Sequence, residues 1–212
     1  MKFAAALFDL DGTLQDSEIH WIGATKDFLN DNGIPYSMDE ATRLVYGRSS
    51  TDIYNELAEM PPLRGRTVAE LAACIREYYN RIMLTTDISY PTSVGLLKRM
   101  AADMPVAIVS GSPRFDVEDA ARKMGVYAHL ALILGAEDVE RGKPAPDCFL
   151  KAAREIGAPP GECVVFEDSE AGVRAAKSAG MFCVAVSRPD RPRQDVSPAD
   201  IIVSDLGEFE YP

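Results

Sequence analysis

The sequence predicts an α/β protein, a doubly wound parallel sheet carrying a small all-helical second unit. Three observations predict it. Six short apolar runs each close at a polar loop. Helix-length stretches that stop at glycine lie between several of them. From Gln15 to Thr86 the alternation stops and only helical periodicity remains. Strands that are apolar at every position, not at alternate ones, are those covered on both faces, which is the mark of a parallel sheet.

The first run is Phe3-Ala4-Ala5-Ala6-Leu7-Phe8, followed at once by Asp9-Leu10-Asp11-Gly12-Thr13. Two carboxylates two residues apart at the end of a buried strand call for a metal, a shared proton or both. In the next segment apolar residues recur at helical spacing: Ile22, Phe28 and Leu29, then Ile53, Tyr54 and Leu57, then Leu71, Ile75, Tyr78 and Ile82. Breaks fall at Gly33-Ile34-Pro35, Tyr46-Gly47-Arg48 and Met60-Pro61-Pro62. Residues 15–86 therefore read as a helical insert, and 1–14 with 87–212 as the sheet domain. Two connections join them, so a hinge is expected, and Tyr90-Pro91 marks the return to the sheet.

Five further strands are expected at Val106–Val109, Ala131–Leu134, Cys163–Phe166, Phe182–Val186 and Ile201–Val203. Helices are expected over Phe115–Met124 before Gly125, over Asp147–Ile156 between Pro146 and Gly157, and over Gly172–Ser178 before Gly180. Ser112-Pro113 reads as an N-cap and first helical position. Asp168 could cap the helix after the fourth strand. Residues 187–198, rich in Pro, Arg and Asp, read as a surface loop.

Composition narrows the function. Of 212 residues 47% are hydrophobic, enough for a full core, and 33 acidic against 22 basic residues give a net charge of −11. A nucleic-acid or anionic-membrane partner needs a basic face, so both are excluded as expectations. The four cysteines (Cys74, Cys148, Cys163 and Cys183) form no CxxC pair and read as reduced core residues of a cytoplasmic protein. Two histidines, His20 and His129, argue against a His-rich zinc site. The N-terminal apolar run is broken by Asp9 too early for a signal peptide or a membrane span. A monomer acting on a small molecule is the expectation.

In open parallel sheets ligands bind beyond the carboxyl ends of the strands. That edge collects Asp9 and Asp11, Ser110-Gly111-Ser112, Lys143 and Glu167-Asp168. Hard oxygen donors suit magnesium, which prefers carboxylates, water and phosphate oxygens. Lys143, Ser110 and the backbone at Gly111 could hold phosphate oxygens. A carboxylate can attack phosphorus to give an aspartyl phosphate. A second one two residues on can protonate the leaving oxygen and later take a proton from water.

With these motifs the chain resembles the haloacid dehalogenase superfamily over its whole length, in the β-phosphoglucomutase- and phosphoglycolate-phosphatase-like branch with a helical cap inserted after the first strand. The resemblance implies a Rossmann-like core. It implies Asp9 as nucleophile and Asp11 as acid and base, within Asp-Leu-Asp-Gly-Thr. It implies Ser110 and Lys143 (in Gly142-Lys143-Pro144-Ala145-Pro146-Asp147) as phosphate-binding. It further implies Glu167 and Asp168, within Phe-Glu-Asp-Ser-Glu-Ala-Gly, as the acidic metal pair. Mg²⁺ would be held by these, by Asp9 and by the backbone carbonyl of Asp11. Dehalogenases of the superfamily lack the second aspartate, so its presence points to phosphoryl transfer, and to a phosphatase acting on a sugar phosphate or similar metabolite. A mutase of the β-phosphoglucomutase kind and a non-catalytic binding protein are the alternatives. The mutases carry a cap Arg three residues past the cap-loop Gly. Counted from Gly47 that position is Ser50, while Arg48 follows the Gly directly, and the matching cap Lys is not evident. In the cap, Gly47 and Arg48 of Tyr46-Gly47-Arg48-Ser49 are candidate substrate residues, and His20 is a third candidate that also reads as a packing or hinge residue. Two positions depart from the family wording: Gln15 stands where relatives commonly have an apolar residue, and Thr92 where they usually have Gly.

Overall fold

The computed structural model describes residues 2–46, 48, 50–189, 191 and 193–211, with Ser50 and Thr51 described by their backbone alone. The chain divides into two compact units, one formed by Met1–Gln15 with Ser89–Pro212 and the other by Asp16–Ile88.

The first unit is built on a parallel sheet of six strands: β1 (Ala5–Phe8), β2 (Val106–Val109), β3 (Leu132–Leu134), β4 (Cys163–Glu167), β5 (Phe182–Val186) and β6 (Ile201–Val203). Their order across the sheet is β3-β2-β1-β4-β5-β6. β1 is central, with Phe8 level with Ile108 on one side and Phe166 on the other. Of the first apolar run only Ala5–Phe8 is strand, and β4 extends one residue past the expected end to include Glu167.

Helices cover both faces: α5 (Pro91–Met100), α6 (Arg114–Lys123), α7 (Asp147–Ile156) and α8 (Glu170–Ser178), numbered after the four helices of the second unit, α1 (Ser17–Asp31), α2 (Met38–Val45), α3 (Ser50–Glu59) and α4 (Val68–Met83). Because side chains alternate along a strand, β1 feeds two cores. Ala6 and Phe8 pack with Ile108, Val164 and Phe166 against Leu96, Leu97, Met100, Val117 and Ala121. Ala5 and Leu7 pack with Ala107, Val109 and Val165 against Phe149, Ala152, Val173 and Ala176. Phe8 and Phe166 stack at 4.4 Å between centroids. Burying side chains of this size contributes about 1.5–3 kcal/mol each, and here that burial holds the ends of β1 and β4 side by side.

Two helix starts differ from the expected ones. The cap position of α6 is Pro113, not Ser112. The cap of α8 is Ser169, whose Oγ accepts from the Gly172 N–H at 3.0 Å, so the helix begins at Glu170 and Asp168 is not its cap. A serine one residue downstream satisfies the same orphan amide.

The second unit has its own core of Ile22, Phe28, Leu29, Leu44, Ile53, Leu57, Leu71 and Ile75. Reciprocal capping boxes open α2 (Ser37 with Glu40) and α4 (Thr67 with Glu70). All four cysteines are free thiols, and Cys148, Cys163 and Cys183 are buried. No described helix is long and apolar enough to cross a membrane.

Candidate active site

Six parallel strands place their carboxyl ends on one edge, and there the sheet unit gathers its polar residues. Asp9 leaves β1 with its N–H donating to the Phe166 carbonyl at 2.9 Å, which keeps it level with the end of β4. The next residue of β4 is Glu167, fully buried. Lys143, from the loop before α7, lies between the two. Its Nζ donates to Asp9 Oδ1 and Glu167 Oε1, both at 2.6 Å, and to the Val109 carbonyl at 3.1 Å. These contacts use all three ammonium protons. Nζ also lies over the Phe149 ring, 5.1 Å from its centroid.

Glu167 is fixed at its other oxygen as well. Oε2 accepts from the Asp168 N–H at 3.0 Å, the Ser169 N–H at 3.0 Å and the Ser169 hydroxyl at 2.9 Å. The Glu167 carboxylate also lies against Gly172, where a Cβ would stand 1.8 Å from Oε1. Glycine is the side chain this approach allows. Gly172→Ala is expected to displace a buried, paired carboxylate and to cost stability by at least about 1–3 kcal/mol, visible as a lowered unfolding midpoint together with lost activity. An unchanged midpoint would contradict the packing.

Asp168 stands beside the loop that follows β1. Gly12 has φ +87°, and a Cβ there would stand 2.1 Å from Asp168 Oδ2, so both the backbone and the space demand glycine. Thr13 Oγ1 makes a long hydrogen bond of 3.4 Å to Asp168 Oδ1.

Asp9, Glu167 and Asp168 each offer an oxygen, all within 4.8 Å of one another. With all three ionised, three carboxylates against one ammonium would leave the cluster negative. Burial is the largest influence on the Asp9 carboxyl and pushes it up to about 8; Lys143 opposes the rise, and Glu167 and Asp11 add to it. Burial also penalises the Lys143 ammonium, but Asp9 and Glu167 outweigh it and hold that group above the ordinary lysine range. A hard divalent cation fits both the all-oxygen donor set and the excess charge.

Asp11 points its carboxylate elsewhere. Oδ1 accepts from Gln15 Nε2 at 2.9 Å, and Oδ2 accepts from the Ser112 hydroxyl at 2.7 Å and, more distantly, from the Ser110 hydroxyl at 3.4 Å. Ser110 is buried and accepts from the Ser112 N–H at 3.0 Å, while Gly111 is exposed at the strand end. The sheet edge thus brings together Asp9, Asp11, Ser110, Lys143, Glu167 and Asp168. Ser112, read from sequence as a helix cap, is instead a partner of Asp11; its place two residues beyond Ser110 on the same edge was the signal. Gln15, Ser169 and Gly172 were not singled out as site residues from sequence.

The cap candidates lie in the second unit. His20 is half-buried on α1. Arg48 donates to the Leu44 carbonyl at 3.0 Å and pairs with Glu56 at 2.7 Å. Gly47 and Ser49 lie outside the described residues.

The model of the haloacid dehalogenase-like hydrolase family matches residues 3–180. The chain belongs to the haloacid dehalogenase-like hydrolases. Among curated relatives, validoxylamine A 7'-phosphate phosphatase of Streptomyces hygroscopicus subsp. limoneus is 31% identical over 211 residues, 99% of this chain and 97% of that protein. The fructose-1-phosphate phosphatase of Escherichia coli (strain K12) is 30% identical over 187 residues, 87% of this chain and 97% of that protein. Among solved structures, β-phosphoglucomutase from Clostridium difficile superposes with a TM-score of 0.74 at 22% identity, covering 99% of this chain and 94% of that one, and shows the shared haloacid dehalogenase fold alone. With a hydrolase family and phosphatases as full-length relatives, the enzyme class is phosphoric monoester hydrolase.

Proposed function

We propose that this haloacid dehalogenase-like hydrolase is a Mg²⁺-dependent phosphatase that hydrolyses a small phosphomonoester, a sugar phosphate or similar metabolite, through an aspartyl phosphate on Asp9. The observation that carries the reading is the division of the carboxylates. Asp9 lies in an acidic cluster at the sheet edge, while Asp11, two residues on, is held by hydroxyl and amide donors outside it.

In the first step an oxygen of Asp9 attacks phosphorus. The bond to the leaving alcohol breaks, its electron pair stays on that oxygen, and Asp11 supplies the proton. In the second step Asp11 takes a proton from water, which attacks phosphorus and frees Asp9. Ser110 and the backbone at Gly111 are assigned to the transferring oxygens. Lys143 keeps Asp9 oriented and offsets charge that grows as phosphorus is attacked. Of the acidic group, Asp9 and Asp168 are assigned as carboxylate ligands of Mg²⁺, with the Asp11 carbonyl. Glu167, whose oxygens are taken by Lys143 and three N–H or O–H donors, supports them from behind. When bound, the ion supplies positive charge against the phosphoryl oxygens.

Chelation with EDTA is expected to stop phosphate release and added Mg²⁺ to restore it, with Asp168→Asn raising the Mg²⁺ requirement. Full activity in EDTA would contradict the assignment. A screen of sugar phosphates, phosphoglycolate and nucleotides for released phosphate tests the reaction. The rival reading is a mutase of the β-phosphoglucomutase kind, carried over from the sequence resemblance. Conversion of β-glucose 1-phosphate without phosphate release would replace hydrolysis with that reading.

A further inference from the structure

We propose that Gln15 is a positioning residue for Asp11, fixing the rotation of its carboxylate so that Oδ2 is the oxygen that exchanges the proton; this rests on the acid–base role proposed for Asp11 above. Gln15 is 6% exposed, and its backbone is tied on both sides. Its N–H donates to the Leu10 carbonyl at 3.1 Å, its carbonyl accepts from the Gly12 N–H at 2.7 Å, and it bridges both Asp11 and Ser89. The side chain has little freedom to leave, and Nε2 reaches Asp11 Oδ1 at 2.9 Å.

The chemistry of the two partners is unequal. With Nε2 turned toward it, Gln15 presents a donor to Oδ1, which therefore accepts. A hydroxyl donates or accepts, so Ser112, at 2.7 Å from Oδ2, can partner that oxygen with or without a proton. The asymmetry directs the proton to Oδ2, which faces the Ser110–Ser112 loop. An apolar residue at position 15 would leave Oδ1 without this donor.

Leaving groups provide the test. In benzyl phosphate the departing oxygen needs a proton as the phosphorus–oxygen bond breaks; in p-nitrophenyl phosphate it departs as a stable anion and needs none. The first-turnover release of benzyl alcohol and of p-nitrophenol is measured by rapid quench for wild type, Gln15→Met and Gln15→Glu. The first variant removes the donor in an unbranched side chain, and the second puts an acceptor in its place, so either one that folds suffices. Benzyl alcohol release is expected to slow about tenfold, the scale of one hydrogen bond to a charged group, with p-nitrophenol release unchanged and KM unmoved. Equal losses on both esters would reduce Gln15 to loop support, and no loss on benzyl phosphate would remove the role; either overturns the proposal. A wild-type enzyme that releases p-nitrophenol and benzyl alcohol at the same rate would overturn the acid role of Asp11 itself, and the wild-type traces alone identify that case.

Discussion

Asp9→Asn is expected to lower phosphate release by about 10⁴-fold or more, the scale on which loss of a nucleophile acts, while the protein stays folded. An amide cannot form the phosphoryl ester, and no other carboxylate takes its place. Glu167 is fully buried and bonded to Lys143, and Asp11 is held by Gln15 and Ser112. The change is nearly isosteric, and the amide oxygen can still accept from Lys143. It also removes a carboxyl whose ionisation is opposed by burial and by its acidic neighbours. The unfolding midpoint of the metal-free variant should therefore match or exceed that of wild type. A variant that lost activity through a lowered midpoint would show a structural role for Asp9 and no more.

Lys143→Met is expected to lose both stability and activity. Removing the ammonium strips Glu167 Oε1 and Asp9 Oδ1 of a donor at 2.6 Å each, in a site where the lysine side chain is only 12% exposed and Glu167 not at all. Breaking a buried pair from one side costs about 3–5 kcal/mol, which for a chain of this size lowers the midpoint by roughly 10 °C. Turnover should fall by about 10²–10³-fold, as when one preorganised donor is lost from a charged site. Arg141→Met is the control. Arg141 also forms a two-pronged contact, with both oxygens of Asp147 at 3.0 Å, but its side chain is 73% exposed. Solvent screens that pair, and its loss should leave midpoint and turnover close to wild type. Similar effects from the two lysine and arginine changes would contradict the account of Lys143 as a buried counter-charge.

These two residues also illustrate what the sequence reveals and what it hides. β1 with Asp9, and β4 with Glu167, are legible because an uninterrupted apolar run followed by acidic residues has few physical readings. Parallel pairing then brings the strand ends to one edge, so residues as far apart as Asp9 and Lys143 could be grouped without any distance. What stayed hidden depends on atomic reach. Ser169, not Asp168, caps α8, because either short polar side chain can satisfy that amide and only geometry chooses. Gly172 looks like one small residue among several in a helix until the Glu167 carboxylate is seen against it. Gln15 stood out as a departure from the family wording, yet its contact with Asp11 depends on a tight turn that folds position 15 back toward position 11.

The central claim is a covalent phosphoryl group on Asp9, and rapid acid quench during turnover tests it most directly. Wild-type protein mixed with p-nitrophenyl phosphate and Mg²⁺, quenched within the first turnover, digested and mapped by mass spectrometry, is expected to carry one hydroxylamine-labile phosphoryl group on Asp9. Turnover with no phosphoryl group on the protein, or with one on any other residue, would contradict the account.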